Sequence, residues 1–184
     1  MDKKVWIGMF FAFIMIFSVF GIVMDSFRPA TNLEYKDYKF KVSQNQFFTT
    51  IDGAEHGFLF FPADLEYITI PEDAKVILDV PVITVTYDPQ STMAQSLAEA
   101  QYYFEAQLQN KKVVERALTN NTDTTLPQKT CADATPAQPV IELALANESS
   151  ITITKNCITL GAVDDTDIYK ETERFIYFLL GVMS

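Results

Sequence analysis

The sequence predicts an α+β (mixed α/β) fold: an N-terminal transmembrane helix, then one outer domain in which two helices pack on a β-sheet. Three observations carry this. Val5 to Met24 (VWIGMFFAFIMIFSVFGIVM) contains no charged side chain, stretches after Tyr38 alternate apolar with polar residues, and two later stretches space apolar residues by three and four.

These twenty uncharged residues, with Ser18 the one hydroxyl, span about 30 Å at about 1.5 Å each, the thickness of a bilayer's hydrocarbon core. A cleaved signal peptide has a shorter apolar region followed by small residues in an A-x-A arrangement, whereas the exit here reads Phe20-Gly21-Ile22-Val23-Met24-Asp25. Residues 1–24 are therefore expected to be a cytoplasmic tip and an uncleaved signal anchor, with the lipid bilayer as the partner of residues 5–24. Lys3 and Lys4 precede the span and Arg28 follows it, which places the N-terminus in the cytoplasm and residues 25–184 outside. Gly8 and Ala12 form a small-xxx-small pair, expected of a single helix that happens to contain small residues.

Residues 25–33 read as a juxtamembrane linker and 34–184 as the outer domain. Tyr38, Phe40 and Val42 alternate with lysines, Ser43–Gln46 turns the chain, and Phe47, Thr49 and Ile51 continue the alternation into a hairpin that Asp52-Gly53 ends. Ala74–Tyr87 is rich in β-branched residues and is expected to be a strand covered on both faces, with Pro81 at a bulge or junction. Ser91 is the expected N-cap of a helix whose stripe is Met93, Leu97, Ala100, Phe104 and Leu108. Lys112–Leu118 is expected to be a strand, and the Thr-, Asn- and Pro-rich residues 119–139 a long surface loop. Val140–Leu145, Ser150–Thr154 and Cys157–Leu160 read as short strands. A closing helix from Asp165 carries Ile168, Thr172, Phe175, Ile176, Leu179, Leu180 and Met183 on one face.

Charge narrows the function. Residues 25–184 hold 12 Lys and Arg against 23 Asp and Glu, a formal −11. Such a surface repels phosphate backbones, so nucleic acid is not an expected partner. Four glycines outside the span leave neither a P-loop nor a dinucleotide fingerprint, and no cofactor is expected. Cys131 and Cys157 are the only cysteines, and an even count in an outward-facing domain predicts a disulfide rather than a metal or redox centre. His56 follows Glu55, and imidazole is a common general base, but neighbours on an extended backbone point to opposite faces; an exposed loop histidine is expected. Asp164, Asp165 and Asp167 lack the glycine and distal glutamate of a calcium loop and read as helix capping. Asn120 and Asn147 begin N-x-S/T acceptor patterns in expected loops, candidate glycosylation sites in a host that has the transferase.

Tyr87-Asp88-Pro89, Leu126-Pro127-x-x-Thr130-Cys131, Pro139-Val140-Ile141, Asn156-Cys157-Ile158 and Arg174-x-x-x-Phe178-Leu179-Leu180-Gly181 together resemble, over residues 75–184, a group of uncharacterised archaeal proteins with an N-terminal membrane helix and a small outer domain. The resemblance implies an archaeal membrane protein with paired cysteines and carries no activity, ligand or catalytic residue. Two functional readings follow. The favoured one is a non-enzymatic, membrane-anchored module, structural or binding a protein partner at the cell envelope, with no catalytic centre and little room for a deep cleft. The alternative is a small-ligand-binding protein or carboxylate-dependent hydrolase, for which carboxyl groups converging on a cleft would be the sign.

Overall fold

The computed structural model describes residues 10, 13–15, 17, 32–77, 79–120 and 125–184. The chain divides into two compact units, Met1–Asn32 and Leu33–Ser184. In the first, Phe10, Phe13–Met15 and Phe17 are helical, and the Phe13 and Phe17 rings lie 4.5 Å apart. The rest of the expected span, and the linker up to residue 31, lie outside the described residues. Among the described residues no helix is long and apolar enough to cross a membrane.

The second unit is α+β, as expected, but built on two sheets rather than one. The first sheet is a four-stranded meander of β1 (Asn32–Tyr35), β2 (Tyr38–Ser43), β3 (Gln46–Ile51) and β4 (Ala54–Phe58). The predicted hairpin is present: β2 pairs antiparallel with β3 in the register Val42↔Phe47, around a Gln44-Asn45 turn whose residues both have positive φ. That backbone twist matches the right-handed twist of the flanking strands. One reading is corrected here: β1 begins at Asn32, inside the expected linker. Asp52-Gly53 ends the hairpin, and the turn there leads into a further strand, β4, with Ile51 opposite Ala54.

The second sheet has the order β6-β5-β7-β9-β8, from β5 (Val82–Tyr87), β6 (Val113–Leu118), β7 (Val140–Leu145), β8 (Ser150–Thr154) and β9 (Cys157–Ala162). Only β8 runs antiparallel to its neighbour. Helix α1 (Ala94–Leu108) crosses over from β5 to β6, and α2 (Asp165–Leu180) closes the chain. The long strand expected over residues 74–87 is another correction. Glu72–Ile77 is a 3-10 helix and the strand starts only at Val82. Pro81 has no N–H to continue a ladder, and the buried Lys112 ammonium donates to the carbonyls of Ile77 and Val80, which turns that segment away from the sheet.

One core joins these parts. Ile83 and Val85, Ile141 and Leu143, and Ile158 and Leu160 line the inner face of the second sheet, while Phe40, Ile51 and Phe58 come from the first. Residues 171–180 of α2 are all buried, including four polar ones, because α2 has sheet residues on more than one side. Phe58 stacks on Tyr177 with ring centroids 4.0 Å apart on the meander side, and α2 packs on α1 and β9 on the other. A helix enclosed in this way loses the one-sided stripe the spacing suggested. The other face of the second sheet is polar and lies under the 125–139 loop. Thr86 donates to the Lys129 carbonyl, and the Gln138 amide donates to Thr84 Oγ1 and Glu115 Oε2.

Candidate functional site

Cys131 and Cys157 form the expected disulfide, with Cα atoms 5.2 Å apart. It pins the 3-10 turn at Cys131–Asp133 to the start of β9 and so fastens the polar loop over the sheet. Closing a loop across 26 residues stabilises the fold by about 3.5 kcal/mol in the chain-entropy model. Glu142 Oε2 lies 3.0 Å from Cys131 Sγ. A disulfide sulfur carries no hydrogen, so this is a bare contact between the carboxyl and the bridge. The three ligand-type atoms of Cys131, Cys157 and Glu142 lie within 4.8 Å of one another, but the sulfurs are committed to each other and cannot ligate a metal while bridged.

His56 is not the exposed loop histidine expected. It sits in β4 opposite Thr49, buried, because β4 extends the meander and turns this side chain toward α1. Gln107 Nε2 donates to the Gly57 carbonyl, so Gln107 Oε1 faces the ring and accepts from His56 Nδ1–H at 2.9 Å. The His56–Gln107 bond ties β4 to α1. Of the three aspartates read as capping groups, Asp164 is the N-cap of α2 and accepts from the Asp167 N–H at 2.9 Å, while the Asp165 carboxyl accepts from Ser96 Oγ at 2.6 Å and that of Asp167 is bonded to Ser149 and Lys170. Asn147 is exposed and Asn120 half-buried, both outside regular elements.

Ser91 does not cap α1. Its hydroxyl accepts from the Met93 N–H one turn earlier, and Met93 occupies the cap position.

The clefts of ligand size among the described residues include three, of about 340, 390 and 420 Å³, the first between residues 36–38, Lys75 and the end of α2. One, about 390 Å³, opens where β5 leads to β6 on one side while β7 lies on the other, the switch point at which open α/β sheets commonly bind ligands. Asp88, Ser91, Thr92 and Glu142 line it. Burial and the neighbouring Asp88 push the Glu142 carboxyl up. Its polar groups have local duties, however: Asp88 accepts from the Gln90 N–H at 2.9 Å, and Glu142 rests on the disulfide.

The larger cleft, about 420 Å³, lies between residues 67–71, the entry to β8 at Ser149–Ile151 and the first turns of α2, which contribute Asp167, Lys170 and Glu171. Residues 167, 170 and 171 follow the helical spacing that puts side chains on one face, and the connection from β7 to β8 brings Ser149 across to meet them. Asp167 is held on both sides: Ser149 Oγ donates to Oδ2 at 2.6 Å and Lys170 Nζ to Oδ1 at 3.0 Å. These two bonds hold its carboxyl below the ordinary aspartate range. Glu171 is the opposite case. It is 3 % exposed, its Oε2 has no hydrogen-bond partner, and burial, with the Asp167 charge adding to it, pushes its carboxyl up to about 7 against the pull of Arg174 and Lys170. A buried acceptor without a donor costs about 1–3 kcal/mol, and such groups in native proteins call for an explanation. Arg174 lies beside it, donating from Nε to the Ile68 carbonyl and from Nη2 to the Ser184 carbonyl, each at 3.0 Å, while its buried Nη1, like Glu171 Oε2, has no partner.

Glu173, two residues on, shows what a purely structural acid looks like here. Fully buried, it accepts from the N–H groups of Leu59 (2.6 Å) and Phe60 (2.8 Å), and the Tyr103 hydroxyl, 2.9 Å away, divides its one proton between Glu173 and the Gly57 carbonyl. Both of its oxygens have partners. Sequence reasoning singled out Asp167 only as a capping residue, and passed over Lys170, Glu171 and Ser149 as candidate site residues. The one available signal was Glu171 lying beside the apolar stripe of a helix, between Ile168 and Phe175. No protein-family model matches this chain, and no match was found among the curated proteins or the solved structures.

Proposed function

We propose that this chain is a single-pass membrane protein whose outer domain, held outside the cell by residues 5–24, works as a small-ligand-binding module through the cleft at the start of α2. The observation that carries the reading is the 420 Å³ cleft itself, lined by Asp167, Lys170 and Glu171 from one face of α2 and by Tyr67, Ile68, Pro71 and Ile151 opposite. Asp167 and Glu171 bring two carboxyl groups to one wall of that cleft, which supports a ligand site over a contact module. The volume is in the range of small-molecule sites. The disulfide fits an oxidising compartment, which favours the outward placement of this domain.

Binding is favoured over hydrolysis on geometric grounds. Carboxylate hydrolases place their two acids on either side of the scissile bond. Asp167 and Glu171 stand one turn apart on the same helix, on one wall, and Asp167 is already tied to Ser149 and Lys170.

A fragment library screened by NMR against the full-length chain in detergent micelles tests the reading. Binders should shift amides of Tyr67–Thr69, Ser149–Ile151 and Asp167–Glu171, and Thr69→Trp, which fills the cleft from an exposed position, should abolish the shifts. Binders confined to other surfaces would refute it. Protease added to intact cells should remove the outer domain, and full protection would refute the topology.

A further inference from the structure

We propose that two copies of this chain associate through β8, whose free edge pairs antiparallel with the same strand of the second copy and joins two five-stranded sheets into one. The inference goes beyond the ligand-site reading and does not depend on it. β8 is the last strand of the second sheet and is bonded on one side to β9. Among the described residues none outside β9 hydrogen-bonds its backbone, so the N–H and carbonyl groups on its other side form an open row. Such a row is a template for another strand, and edges that are not used this way are guarded by charges, proline or a bulge.

The other terminal strands are guarded. β1 carries Glu34, β4 carries Glu55, and β6 carries Glu115 and Arg116. Tyr103 and Gln107 also occupy the Gly57 carbonyl of β4, and the polar loop bonds both backbone groups of Leu118 at the end of β6. β8 reads Ser-Ile-Thr-Ile-Thr, with neither a charge nor a proline, and its five residues pair one to one with β9 without a bulge.

A second copy is the occupant this strand fits. Side chains alternate between the two faces of a sheet, so strands pair well only in a register that brings like faces together. The pattern from Ser150 to Thr154 reads nearly the same in both directions, and an antiparallel pair centred on Thr152 aligns all five residues. Ile151 then stands opposite Ile153 of the second copy, Ser150 opposite Thr154, and Thr152 opposite itself. Ile153 is only half-buried in one chain, and this register sets an isoleucine beside it on the core-facing side. Beyond the strand the same register carries Ser149 opposite Lys155, so Glu148 of one copy comes next to Lys155 of the other at both ends. Both residues are exposed, and among the described residues neither has an ion-pair partner. A chain of formal −10 repels its own copy at long range. A contact between copies is therefore best placed on an uncharged strip that ends in opposite charges. Five residues a side make a contact well below the usual size of about 1,600 Å², hence a reversible dimer.

The test places single cysteines on β8 in the full-length chain, reconstituted into phospholipid vesicles, with Cys131 and Cys157 consumed by their own bridge. Thr152→Cys sets two thiols opposite each other at the Cα separation of about 4.5–5.5 Å that an antiparallel pair imposes and a disulfide spans. Ser150→Cys sets its two thiols four residues apart along the strands, about 14 Å. Oxidation with diamide should link Thr152→Cys into a dimer at least 10-fold faster than Ser150→Cys, and Ser150→Cys mixed with Thr154→Cys should give the linked pair of unlike chains. Adding Glu148→Lys to Thr152→Cys, which makes like charges meet at both ends, should slow linkage about 10-fold, and adding Lys155→Glu to that variant should restore it. Equal rates at positions 150 and 152, or no linkage at 152 while the same thiol reacts with a maleimide, would overturn the dimer. In the second case, β8 amides protected from hydrogen exchange in native membranes would assign the edge to a strand of a different protein.

Discussion

Replacing Glu171 by glutamine should make the protein more stable at neutral and alkaline pH, the reverse of what deleting a buried charged residue usually does. In the unfolded chain the carboxyl titrates at its ordinary 4.5, and in the fold at about 7. Below 4.5 both states hold the proton and the group has no effect on stability. Between 4.5 and about 7 the folded state keeps a proton that the unfolded state has released, so stability falls by about 1.4 kcal/mol per pH unit. Above about 7 the loss is complete, at about 3 kcal/mol. Glutamine has nearly the same shape, cannot ionise, and removes that loss. The variant and the native chain should therefore agree near pH 4 and differ by about 3 kcal/mol at pH 8, which for a domain of this size is roughly 6–12 °C in Tm. Urea unfolding of the full chain in micelles, followed by near-UV circular dichroism between pH 4 and 8, reads the difference directly. Glu173 also lies near 7 but is unchanged in the variant, so it drops out of the comparison. A pH-independent gap, or a variant less stable at pH 8, would refute the reasoning.

The disulfide gives a second expectation: Cys157→Ser should lower stability by about 3.5 kcal/mol, checked by denaturation, and non-reducing peptide mapping of the native chain should recover the Cys131–Cys157 pair. Glu173→Ala strands the N–H donors of Leu59 and Phe60 in a buried position and should cost about 3–5 kcal/mol, with hydrogen exchange at those two amides rising well before that of β7. Gly181→Ala is milder. Gly181 ends α2 at φ 81° while the Val182 N–H reaches back to the Tyr177 carbonyl, and an alanine there should cost about 1 kcal/mol in thermal melts.

How much of this could be read from the chain depended on whether a residue's surroundings were local. Strands β2, β3 and β5 to β9 and both helices were legible because alternation and helical spacing are set by neighbours two to four residues away. Local signals also misled. Asp52-Gly53 is a turn in either reading, and only the pairing of Thr49 with His56 reveals that the chain returns as a strand instead of leaving the sheet. Likewise residues 74–80 have strand-like composition, and the Lys112 ammonium, 32 to 35 residues away, holds the carbonyls of Ile77 and Val80 off the sheet. The site belongs to this second kind. Three of the four acids in α2, Asp167, Glu171 and Glu173, look equivalent in sequence. They are told apart by what the fold brings from elsewhere: Ser149 to the first, the N–H groups of Leu59 and Phe60 to the third, and no donor to Oε2 of the second. A charged residue among the buried positions of a helix is a question the sequence can pose. Its answer lies in which partners arrive: the fold brings two N–H groups and a hydroxyl to Glu173, and leaves Glu171 Oε2 and the neighbouring Arg174 Nη1 both buried without one.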